Sequence, residues 1–212
     1  ISSLLSRREG QVYIANLFVN YRPYNNDLVS LPEFVKMNVL KIIFIWFILL
    51  SIYLLSWTGN DWLSETMPRH QLIQLPGMFL IGLFAGLLVP HIKLKRTANG
   101  IAILIFVMAS VLFWMLPRSV DMAVINPGIN RIMHLNMLVA GFFTLIALRG
   151  IRFEIKIVFL GMMAAMLLVA GFSLRTFDLL LCSSFNIQQQ KETGLYLVIL
   201  GAALFVTNVI IF

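Results

Sequence analysis

Two imidazoles sit where hydrocarbon should be. His134 lies in RIMHLNMLVAG (131–141), flanked by Met133 and Met137 at the head of an apolar run that continues to Leu148. His70 lies with Met67 and Gln74 at the head of the run ending at Val89. An imidazole so near hydrocarbon is costly unless something bonds it, so its partners decide its role. On helices, Met67 and His70, or His134 and Met137, share a face at a spacing of three, as do His70 and Gln74, or Asn130 and His134, at four. Imidazole with thioether suits copper, above all the reduced ion, whereas zinc and iron sites more often recruit carboxylate or thiolate. The candidate metal ligands are therefore His70, His134, Met67, Met133 and Met137. A haem between the two histidines is the weaker metal reading, because their rings would have to face each other at one depth and their offsets from the span starts differ.

Each residue also has a plainer role. Most of the eleven methionines are packing, and Met162, Met163 and Met166 are assigned to it. His70, close to the interface, is expected to be solvated, and His134 to bond a neighbouring helix. Cys182 is expected to be a buried, inert thiol, and as the lone cysteine it excludes an internal disulfide or a paired-cysteine metal site. Asp178 and Arg175, three apart, are positioned to pair. Asn186 to Gln190 form a third polar stretch before the last apolar run. No phosphate loop, dinucleotide fingerprint, nucleophile motif or HExxH occurs, and no acid lies deep in an apolar run. The expectation is a protein that binds and passes on metal and is not an enzyme.

The elements that position these residues follow from composition. Of 212 residues, 60% are hydrophobic and 12% charged, far from the roughly 25% charged of a soluble domain. A helix needs about 20 mostly apolar residues to cross a bilayer, and six segments qualify: 38–57, 71–90, 100–117, 129–148, 155–174 and 193–212. The expected fold class is all-α, a polytopic membrane helix bundle with six transmembrane helices (38–212) behind an N-terminal cytoplasmic arm (1–37). In that arm QVYIANLFVNY reads equally as an interfacial helix or an irregular segment. Gly82 and Gly86 form a small-xxx-small pair, common by chance, and Trp46, Trp57, Trp62 and Trp114 include candidate interfacial anchors.

Basic residues give a direction. Arg7, Arg8, Arg22, Lys36, Lys41, Lys93, Lys95, Arg96, Arg149, Arg152 and Lys156 flank one side, and Arg69, Arg118, Arg131, Arg175 and Lys191 the other, where five acids balance them. The positive-inside rule then makes both termini cytoplasmic. The net charge of +7 is largely loop charge and requires no nucleic acid. Spans two, four and six would enter from outside, so His70, His134 and the glutamine run would share the outer face. At 1.5 Å per residue, His134 would lie roughly 5–10 Å below it. His91, beside the basic turn, would be a cytoplasmic surface residue.

Taken in order, RHQLIQLPGMFLIGLFAGLLVP, NPGINRIMHLNMLVAGFFTLIAL and NIQQQKETGLYLVILGAAL resemble the CtaG-like family of cytochrome c oxidase assembly membrane proteins over residues 67–205. The resemblance implies a prokaryotic, multi-pass bundle in the cell membrane that helps deliver copper to an oxidase. Where that family tends to pair histidines four apart, this chain has His70 with Gln74 and Asn130 with His134. The family's Asp-Gln-Gln run falls on Gln189, Gln190 and Lys191. Amides bind copper less well than imidazole, which keeps open a relative without metal chemistry. The other reading is a non-catalytic accessory subunit packed against a larger membrane complex, such as a copper-dependent respiratory oxidase or membrane monooxygenase. A quinone or lipid pocket among Phe142, Phe143 and Trp114 has no distinguishing feature.

Overall fold

The computed structural model describes residues 33–90, 97–177 and 180–211. The arm before Glu33, the turn holding His91, Lys93, Lys95 and Arg96, and Asp178 lie outside the described residues. The chain divides into Ile1–Leu40 and Lys41–Phe212, and the second unit carries everything that follows. The helices are α1 (Glu33–Tyr53, continued by a π-helical turn Leu54–Thr58), α2 (Asn60–Ser64), α3 (Met67–Leu88), α4 (Thr97–Met115), α5 (Pro117–Ile125), α6 (Pro127–Gly150), α7 (Phe153–Thr176) and α8 (Ile187–Ile211).

Among the described residues, six helices are long and apolar enough to cross a membrane: Val39–Thr58 and α3, α4, α6, α7 and α8. Their exposed surfaces are large aliphatic and aromatic side chains such as Trp46, Phe47, Leu135, Val169 and Ile210, a surface compatible with a lipid bilayer. The sequence boundaries shift in three places. Met67 to His70 belong inside the second span, because Pro68 supplies a preset first turn and has no N–H to leave unpaired. Pro117 ends the third span for the same reason and begins the separate helix α5. The last helix starts at Ile187, so Gln188 to Gln190 are its first turn and not a loop.

Two glycine-mediated crossings hold the bundle. A Cβ on Gly82 would collide with the Leu138 carbonyl, and one on Gly141 with the Phe79 carbonyl, so α3 and α6 meet backbone to backbone. The other crossing joins α7 and α8, where a Cβ on Gly171 would lie 2.7 Å from the Gly194 carbonyl, and one on Gly194 equally close to that of Gly171. Such contact is the main attraction available between helices in lipid. At the far end, Arg149 Nη1 donates to the Gly86 and Val89 carbonyls at 3.1 and 3.2 Å, capping α3 with a cation. Trp114 is no interfacial anchor: it is 5% exposed, and its indole N–H donates to Asn136 Oδ1 at 3.0 Å. Trp46, Trp57 and Trp62 remain exposed.

Candidate metal centre

Alternation of the spans puts the heads of α3, α6 and α8 at one end of the bundle. On α6 the spacing of Asn130, Met133, His134, Met137 and Gly141 makes one inward face, and all five are buried. On α3 the helix widens to a π-helical turn over His70–Gln74, in which His70, Gln71 and Gln74 are all buried. Single π turns inside α-helices recur at functional sites. A second π turn, at Leu54–Thr58 of the first span, lies in the same network.

His70 is therefore not the solvated surface histidine that its place near the interface suggests; it is fully buried. Its Nδ1 is 2.6 Å from Gln74 Oε1. Gln74 Nε2 donates to the Leu55 carbonyl at 3.1 Å and to Asn60 Oδ1 at 3.0 Å. Asn60 Oδ1 also accepts from Asn130 Nδ2. Three segments, the end of the first span with α2, the head of α3 and the head of α6, are thus tied by one chain of amides. Asn60 was invisible in the sequence, where WTGNDW reads only as a polar turn.

His134, 4% exposed, has no hydrogen-bond partner on either ring nitrogen, contrary to the bond to a neighbouring helix expected of it. His70 Nε2, Gln71 Oε1 and Asn130 Oδ1 are likewise buried without partners. The amide chain that starts at His70 Nδ1 ends at Asn130, one helical turn before His134 on α6. Buried polar groups are nearly always satisfied, and leaving one unpaired costs about 1–3 kcal/mol. Three unpaired imidazole nitrogens at the heads of two packed helices are therefore a costly arrangement unless a ligand completes them. Above the network, a polar pocket of about 150 Å³ is lined by Ser56, Trp57, Asn60, Pro127, Asn130 and Arg131, with the Arg131 guanidinium 5.7 Å from the Trp57 ring centre.

The five candidate ligands do not all gather. Met133 and Met137 pack together with Trp114 and Met78 in the core beside His134. Met67 is buried in a different cluster, with Val120, Cys182 and Leu197, because Pro68 and the first turn aim it toward α5 and α8. The set the structure brings together is His70 and His134, with Met133 and Met137 on the His134 helix face. Among the described residues no three His, Cys, Asp or Glu side chains form a metal-holding group. The donors that remain are neutral nitrogen and thioether sulfur, which fit a soft cation of low charge and do not fit a hard divalent one.

The glutamine stretch makes bonds of its own at the head of α8. Gln190 is fully buried, but its Nε2 donates to the Leu174 carbonyl at 3.3 Å and its Oε1 accepts from the Leu181 N–H at 2.9 Å. It ties the connection between α7 and α8 to the head of α8. Asn186 Oδ1 accepts from the Gln189 N–H at 2.8 Å, capping that helix. Asp121 anchors the same connection by accepting from the Ser183 N–H and hydroxyl and the Ser184 N–H. Desolvation pushes the Asp121 carboxyl up, but the bonds from Ser184 and Ser183 together hold it below its ordinary value. Cys182 is buried beside them, and burial, then the Asp121 charge, pushes its thiol up to about 12. That is the inert thiol expected from the sequence. No family model, curated protein or solved structure matches the chain.

Proposed function

We propose that this protein is a copper-handling membrane protein of the kind that assists respiratory oxidases, holding one reduced copper ion between His70 and His134. Met133 or Met137 would supply a thioether. The observation that carries this reading is two buried imidazoles, at the two ends of one amide network, with three nitrogens lacking any protein partner. When bound, copper would supply an exchangeable soft centre, not turnover. The chain's own residues do the rest: His70 and His134 donate lone pairs, the Asn60–Gln74–Asn130 amides hold the helices in register, and Trp114 and Met78 exclude water from below. By the charge bias the site faces outward across a cell membrane with both termini in the cytoplasm. Copper content of purified protein, measured against His70→Ala/His134→Ala, tests it: about one copper per chain falling to none is expected, and equal content in both ends the proposal.

One observation favours the second reading, an accessory subunit of a larger membrane complex. Only 6% of the first span is buried, against 22–44% for the other five. Trp46, Phe47, Leu50 and Tyr53 all lie exposed on it. A neighbouring subunit covering that span would resemble an oxidase or monooxygenase partner in being itself apolar. Gentle-detergent purification that yields only the bare chain would count against it.

A further inference from the structure

The amide chain beside His70 has a direction that hydrogen-bonding chemistry fixes. Gln74 faces three groups: the Leu55 carbonyl, Asn60 Oδ1 and His70 Nδ1. A backbone carbonyl can only accept, so the end of Gln74 that meets Leu55 must be its NH₂. Asn60 is oriented independently, because its own Nδ2 donates to the Asp61 carboxylate at 3.4 Å, which also can only accept. Its Oδ1 is therefore the atom that receives Gln74 and Asn130. The end of Gln74 left for His70 is the carbonyl, an acceptor, 2.6 Å from Nδ1. For that contact to be a hydrogen bond, Nδ1 must carry the proton. In the neutral ring Nε2 then holds a lone pair, and Nε2 is the buried atom with no partner.

We propose that Gln74 is a positioning residue that locks His70 in its Nδ1–H form and so presents Nε2 as a lone-pair donor to a soft monovalent cation. The lock follows from the amide chain alone; the identity of the cation rests on the copper reading above. Outer-shell partners of metal-binding histidines set the tautomer in this way. The usual partner is a carboxylate or backbone carbonyl, and here a neutral amide stands in the chain while the carboxylate of Asp61 is two links away at the surface. With no charge contributed by Gln74, His70, His134 or the methionines, the loaded site carries the charge of its ion. Inside a bilayer each added charge is expensive. A monovalent soft ion is thereby favoured over a divalent one.

The test is long-range ¹H–¹⁵N correlation of imidazole-labelled full-length protein in lipid nanodiscs, first without metal and then with silver(I) or zinc(II). Metal-free His70 should show a protonated Nδ1 and an unprotonated Nε2, and silver should shift Nε2 at lower concentration than zinc. A protonated Nε2 would overturn the lock, and equal or tighter zinc binding would overturn the charge selectivity. Gln74→Leu should mix the two tautomers and weaken silver binding roughly 10- to 100-fold. Should Gln74→Leu fail to fold, the wild-type spectrum still decides. A correct tautomer with no response to silver would overturn the metal half together with the proposed function, leaving the lock intact.

Discussion

Two helix pairs in this bundle share a design and differ in one respect. Both α3 with α6 and α7 with α8 cross on paired glycines, and both bury amide side chains at their heads. At the head of the α7–α8 pair the account is closed, since both ends of the Gln190 amide meet backbone groups, the Leu181 N–H and the Leu174 carbonyl; farther along, Asn208 donates to the Ile157 carbonyl and its Oδ1 is one buried atom without a partner. In the α3–α6 pair it is open, with both nitrogens of His134, Nε2 of His70, and oxygens of Gln71 and Asn130 buried without partners. A satisfied polar cluster rigidifies, whereas a half-satisfied one costs stability that packing alone does not recover. On the proposed reading, the closed cluster at the head of α8 is structural and the open one between α3 and α6 is the site.

The largest expected effect tests what the pairs share. Gly141→Val and Gly194→Val should each destabilise by about 3 kcal/mol or more, since the added carbons meet backbone and not a flexible side chain. Thermal unfolding in detergent measures this, and a neutral Gly141→Val would mean the α3–α6 crossing is not as close as described.

Next come substitutions that should split the pairs. Gln190→Leu strips partners from the Leu181 N–H and the Leu174 carbonyl and should cost about 1–3 kcal/mol. His134→Leu removes a group with no partner to lose, so the metal-free protein should be unchanged or more stable by about 1 kcal/mol. If His134→Leu proved as damaging as Gln190→Leu in metal-free protein, the imidazole would have a structural partner and the contrast would dissolve.

The smallest effects concern the connection beside Gln190. The folded-state value of Asp121 is depressed, so its contribution is present above the unfolded carboxylate value and is lost as pH falls through the lower folded one. Protection of the Ser183 and Ser184 amides, taken as the exchange rate relative to an unstructured amide at the same pH, should thus hold at neutral pH and fall only in acid below the ordinary carboxylate value. Asp121→Asn should remove that acid step. Cys182, with its thiol held near 12, should resist alkylation at pH 8 until the protein unfolds.

The sequence carried the bundle more legibly than the site. Six apolar runs sufficed for the spans, because length and hydropathy are what a bilayer demands of a helix. The second span was drawn from 71 and the third to 117, whereas helices start at Met67, with Pro68 in the first turn, and at Pro117, and the earlier start carries His70 from the surface into the interior. No periodicity argument anticipates the π turn at His70–Gln74, which rotates Gln71 and Gln74 inward together. Asn60 carried no signal because its role depends on a neighbour fourteen residues away and another seventy away. The methionines were grouped by type, and only packing separates Met67 from Met133 and Met137. The glutamine run was legible as a polar stretch before the last span, but that Gln190 ties the α7–α8 connection to the helix head depends on backbone groups at Leu174 and Leu181 that no local pattern reveals.

The most direct measurement is X-ray absorption of the protein loaded with copper(I). Two imidazoles scattering in the first shell, with sulfur alongside, are expected in the wild-type chain, and that imidazole signature should vanish in His70→Ala/His134→Ala. Copper coordinated by sulfur alone, or identical spectra from the two proteins, would contradict the assignment of the open cluster as the metal centre.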